Sequence, residues 1–170
     1  MQSVDSKTPN VPLFANLNDT DPAVAEAVTE ARRTLPHFLE AASEKRFSPA
    51  IYLVKVPFID RSKTGEPALI RTSETAAQNP NRSICHLWLR VTSVLEDLIF
   101  CAVFEAPESL RLERDVGYLV HSELIEDWMI NYNGAAFGGF SLRVFRSRLD
   151  QERQTKFDSY TGISEFKTFP

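Results

Sequence analysis

Chemistry in this chain would have to come from a short set of side chains. There are three histidines (His37, His86, His121), two cysteines (Cys85, Cys101) and a cluster of carboxylates, Glu123, Glu126 and Asp127, beside Trp128. A carboxylate held against an aromatic ring can keep its proton to unusually high pH and act as a general acid. Glu123, Asp127 and the nearby His121 therefore define the site of a small hydrolase, if the fold gathers them around one pocket. Asp127 also has a competing, structural use. A short acidic side chain pins a turn by accepting backbone N–H groups, and Trp128 would then fill the edge of the core. The structural use is the expected one, so no residue is assigned a catalytic role.

Other chemistries fail on spacing. No histidine stands at a metal-ligand interval from another histidine or cysteine except in Cys85-His86. Adjacent strand residues point to opposite faces, so that pair cannot hold one ion, and no metal is expected. No Gly-x-Ser-x-Gly elbow occurs. A cysteine could reach His121 across strands, but a reactive thiol needs an electropositive, partly exposed site. Cys85 and Cys101 instead lie in apolar runs and read as small buried hydrophobes. Gly134, Gly138 and Gly139 make no phosphate-binding or dinucleotide fingerprint, so no cofactor is expected.

What remains is recognition. His86, Trp88 and Arg90 alternate along one strand face, and Trp and Arg are over-represented in binding hot spots. The opposing reading has a helix covering this face, with Trp88 in the core. With Asp127 and Trp128, these three are the candidate partner-binding residues. The net charge of −4 disfavours phosphate backbones and anionic lipid, so the expected partner is a protein, not a nucleic acid or a membrane. The composition, 43% hydrophobic and 25% charged, is that of a globular chain and excludes wholesale disorder. At 170 residues one domain is expected. It should bury about 70% of the surface its unfolded chain exposes. Residues 1–18 read as a flexible lead-in without the apolar run of a secretory signal, so a cytoplasmic location is expected.

The elements that must position these residues follow from periodicity. Asp21 is an N-cap and Pro22 suits a first helical turn. Val24, Ala27, Val28, Ala31 and Leu35 form a helical stripe. Pro36 is expected to break or kink that helix, with a further turn to about Ser43. Residues 50–58 alternate as a strand, covered on both sides near its start by Ile51 and Leu53 on the second face. Residues 60–81 are expected to be a long loop. Strands follow at 84–94 and 98–105, joined by a Glu96-Asp97 turn, and again at 116–121. Ser122 would cap a short helical turn. Asn133-Gly134 signals a hairpin, Phe140–Phe145 reads as a last strand, and 150–157 as a short helix. The sum is an α+β domain over residues 19–166: an N-terminal helix packed on a curved antiparallel sheet of about six strands, with a short C-terminal helix.

From Asp21 to Phe166 the chain resembles the YegJ-like bacterial domain family, a domain of unknown function. The likeness is carried in order by Ala27, Ala31, Thr34, Leu35, Pro36 and Phe38, then Val54–Phe58, His86–Val91 and Ala106-Pro107. Its sharpest pieces are Ile125–Met129 and Gly138–Val144, closed by Gln151–Arg153 and Phe157. The resemblance implies the α+β class and a bacterial setting, and no reaction. The functional expectation is a non-enzymatic protein-binding module, in one version an antidote-like immunity protein that blocks a toxin. The alternative is the small hydrolase with its carboxylate site near Asp127.

Overall fold

The computed structural model describes residues 21–59, 68–69, 84–104 and 116–170. Helix α1 runs from Pro22 to Glu44. Its N-cap Asp21 accepts from the Ala23 N–H at 2.9 Å. The buried stripe is Val24, Ala27, Ala31, Leu35, Phe38 and Ala41. The expected break at Pro36 does not occur. Pro36 is exposed, and so is Arg32 one turn earlier, whose carbonyl loses its helical donor. The defect therefore faces water and leaves the buried seam intact.

The sheet is mostly antiparallel. Seven strands lie in the order β5-β4-β3-β1-β6-β7-β8, and the short β2 pairs with the far end of β1. They are β1 (Ile51–Ile59), β2 (Ala68–Leu69), β3 (Ile84–Leu95), β4 (Leu98–Val103), β5 (Gly117–His121), β6 (Asp127–Tyr132), β7 (Ala135–Gly138) and β8 (Glu165–Lys167). Pro57, inside β1, cannot donate to a ladder. It falls after the last residue paired with β6, Lys55, and before the first paired with β2, Phe58, where its missing N–H breaks no strand pairing on that side. The lead-in expected at 1–18 lies outside the described residues. So does the 60–81 loop, apart from Ala68 and Leu69.

Both faces of the sheet are covered, as the start of β1 suggested. On the first face Tyr52, Val54, Val56, Phe58, Leu87 and Leu89 pack with Leu35 and Phe38 of α1. On the second, Leu53, Trp88 and Met129 pack with residues that follow β7.

Asn133 and Gly134 both adopt positive φ, 52° and 83°, and close the tight β6–β7 hairpin. The expected strand at 140–145 is instead helix α2 (Phe140–Ser147). Eight residues are too few for alternation to be told from helical spacing, and a contact from β6 decides between them. Helix α3 (Gln151–Thr161) starts on the Asp150 N-cap, which accepts from the Arg153 N–H at 2.9 Å. Two ion pairs lock this end: Arg146 Nε to Asp158 at 2.6 Å between α2 and α3, and Arg148 to Asp21 at 2.5 Å across to α1.

Candidate functional site

The candidate residues separate across the sheet. Trp88 and Trp128 are both buried, on opposite faces. The indole of Trp128 stacks on Phe38 at 5.2 Å between centroids and meets Phe140 and Phe169 edge-on. Its Nε1–H donates to the Ala31 carbonyl at 3.0 Å and to Thr34 Oγ1 at 3.1 Å. Trp128 thus ties β6 to α1 one turn ahead of Pro36. Behind it, Gly138 holds φ +72° with no room for a side chain, since a Cβ there would lie 2.3 Å from the Trp128 carbonyl oxygen.

Asp127 is 1% exposed. Its Oδ1 accepts from the N–H of Trp128 at 2.8 Å and of Phe140 at 3.2 Å. Its Oδ2 accepts from the Ser141 N–H at 2.7 Å and the Ser141 hydroxyl at 2.6 Å. Helix α2 has Gly139 at its own N-cap position, with no side-chain cap. Asp127 supplies that cap from the neighbouring strand, satisfying the first donors of the helix and complementing its positive end. This contact turns residues 140–147 into a helix. Burial pushes the Asp127 carboxyl up, while Ser141, Lys55 and the Trp128 N–H pull it back.

The hydrolase arrangement is not assembled. His121 is on β5 and Asp127 on β6, with β4, β3 and β1 between them, a span of roughly 19 Å at about 4.8 Å per strand. Glu123 and His121 are exposed, 3.9 Å from each other. His86 instead meets Glu126, Nδ1 to Oε2 at 2.5 Å. Among the described residues no group of three or more His, Cys, Asp or Glu could hold a metal ion.

Cys101 faces the first core, whereas His121 lies on the other face of the sheet, so the two do not pair. Neither cysteine forms a disulfide, and burial pushes the Cys101 thiol up to about 12. A thiol held so far above neutral is nearly all protonated and a poor nucleophile. Native protein treated with iodoacetamide at neutral pH is therefore expected to stay unmodified at Cys101 by peptide mass spectrometry. Labelling at the rate of unfolded protein would contradict that placement.

The second face is where surface remains. Helices α2 and α3 cover it only in part. Beside them a cleft of about 250 Å³ opens between the end of α3 and the sheet, walled by Leu53, Trp88, Phe104, Met129 and Leu142. Arg90 is exposed at this level of β3, and its guanidinium lies over the Phe104 ring, 5.7 Å from the centroid. Beyond Arg90 the β3–β4–β5 wing carries Leu95 (61% exposed), Leu98 (36%), Phe100 (43%) and Leu119 (51%). Register puts them on one face: Leu95 opposes Leu98, and Phe100 opposes Leu119. Leu98, Phe100 and Leu119 were absent from the candidates read in the sequence. The signal for them was present, because Leu98–Val103 is apolar at both parities, more than a strand with one solvated face requires.

Residues 21–166 match a family model described as "Uncharacterized protein conserved in bacteria (DUF2314)". A protein of Neisseria meningitidis serogroup B, named a "putative ankyrin repeat protein", is 26% identical over 159 residues. The match covers 86% of this chain and 54% of that relative, so the chain spans about half the relative's length. No solved structure matches.

Proposed function

We propose that this chain, which belongs to the bacterial family DUF2314, is a non-enzymatic module that binds a protein partner through the uncovered wing of its sheet. The observation that carries the reading is the exposure of Leu95, Leu98, Phe100 and Leu119 together on one face. A contiguous apolar patch on a soluble domain marks an interaction surface, and strand β4 devotes two such side chains to it. Arg90, beside the patch, is a residue type favoured at binding hot spots. We further infer YegJ-like kinship within the family from Ile125–Met129 and Gly138–Val144. In the narrower version of this function the partner is a toxin and the domain its antidote.

Trp88, Asp127 and Trp128 are buried, so in this reading they support the surface rather than touch the partner. The test is capture from native lysate of the source bacterium with the wild-type chain and with Phe100→Glu and Leu119→Glu. Both side chains are exposed, so the variants are expected to stay folded within about 0.5–1 kcal/mol. One stoichiometric partner, retained by wild type and reduced at least about tenfold by either charge, is the expected result. A partner held equally by all three proteins would place its site elsewhere, and none in any condition would count against the module.

A further inference from the structure

We infer that the cleft beside Trp88 is a binding site for a small apolar monocarboxylate, with its hydrocarbon body between Leu53, Met129 and Leu142 and its carboxylate on Arg90. This does not rest on the protein-binding reading: the cleft walls lie apart from the Leu98–Phe100–Leu119 wing, and Arg90, which borders both, enters here through its place over the cleft wall Phe104.

Size limits the body of the ligand. The cleft measures about 250 Å³. An apolar cavity of about 150 Å³ already admits benzene, whereas drug-sized ligands occupy roughly 300–1,000 Å³. One aromatic ring or a chain of about six carbons therefore fits. The walls favour hydrocarbon: Leu53, Trp88, Phe104, Met129 and Leu142 are apolar, and Asn131, Tyr160 and Thr161 supply polar edges. Trp88, buried beneath the cleft, contributes an apolar edge to its floor.

Charge selects the head group. Arg90 stands two residues from Trp88 on the same strand face, with its guanidinium laid over Phe104, itself a wall of the cleft. Among the described residues no carboxylate pairs with Arg90. Stacking restrains the guanidinium over Phe104, on the rim side of that wall, and leaves its edge to donate a two-pronged pair to a planar carboxylate. An alcohol or amine of the same length would fill the cleft without this pair, and an amine would meet repulsion.

The experiment titrates the full chain with hexanoate, phenylacetate, hexan-1-ol and hexylamine, following methyl NMR shifts of Leu53, Met129 and Leu142 and the fluorescence of Trp88. Trp128, fully buried on the opposite face, is the unresponsive background. Hexanoate and phenylacetate are expected to shift these methyls and to bind about tenfold more tightly than hexan-1-ol, with hexylamine weakest. Arg90→Gln, at an exposed position, should abolish that preference while keeping the weak binding of hexan-1-ol. The inference is overturned if no acid perturbs the cleft methyls, if acid and alcohol bind alike, or if Arg90→Gln leaves the preference intact. A blocked tripeptide ending in phenylalanine that bound more tightly than phenylacetate would likewise overturn the assignment to a free acid.

Discussion

Asp127→Ala is expected to destabilise the domain by about 3–5 kcal/mol, read from urea or guanidinium unfolding. The substitution removes one carboxylate but leaves behind the donors of Trp128, Phe140 and Ser141 that converge on it. Each buried donor without a partner costs about 1–3 kcal/mol. Local relaxation and water entry keep the total near the upper range for single substitutions. The loss should start at α2, because its first turn has no other cap, and amide exchange should accelerate over 140–147 before the rest. Asp127→Asn is a milder case. Its oxygen can still accept on one side, but its NH₂ would confront the Ser141 donors, so about 1–3 kcal/mol is expected.

The same carboxyl has a signature in pH. Burial is the largest influence on it and raises its pKa above the ordinary 3.8. The folded state then holds this proton more tightly than the unfolded chain, so the contribution of Asp127 falls as pH rises from 3.8 through the folded value. The stability gap between wild type and Asp127→Asn should therefore be widest at low pH and narrow as pH rises. A gap that widens toward neutrality would mean that the converging donors outweigh burial. Asp21 and Asp158 behave in the opposite sense. Their carboxyls are held low, by the Ala23 N–H and then Arg148 for Asp21 and by Arg146 for Asp158, so what they contribute is lost as pH falls.

Trp128→Ala is expected to cost about 3–5 kcal/mol as well, through a cavity in the middle of the first core. The ring touches Phe38, Phe140 and Phe169, which belong to three separate stretches of chain. Trp128→Phe should keep most of that packing and lose the indole donor to Ala31 and Thr34, at about 1–2 kcal/mol. Equilibrium unfolding of the two variants checks both values. A loss below about 1 kcal/mol for Trp128→Ala would mean that the aromatic cluster does not organise this core. The effects of Asp127 and Trp128 should not add, since both bear on Phe140: Trp128 through ring contact and Asp127 by accepting the Phe140 N–H.

Local signals carried much of this architecture. The helical stripe after Asp21, the period-two run of β1, the Glu96-Asp97 turn, the Asn133-Gly134 hairpin and the closing helix after Asp150 all stand where neighbouring residues alone place them. Each depends on interactions within a few positions, such as caps, turns and alternation, so one strand of sequence holds the whole cause. The candidate site was legible only in part. His86, Trp88 and Arg90 were assigned to one face of β3, which is correct as parity. Parity, however, does not say how far α2 and α3 extend over that face, leaving Trp88 covered and Arg90 exposed.

The sequence by itself therefore determined the α+β class, the first helix, most strands and the absence of familiar catalytic or metal-binding spacings. Tertiary structure alone decided three things. Residues 140–147 became a helix because a carboxylate from β6, beyond the reach of local propensity, caps it. Helix α1 continued through Pro36 because that residue faces water. The exposed surface came to lie on the β3–β4–β5 wing because the C-terminal helices cover only part of the second face. For the helix cap and the exposed wing the deciding contact or its absence joins residues distant in the chain, and no periodicity within one segment encodes it.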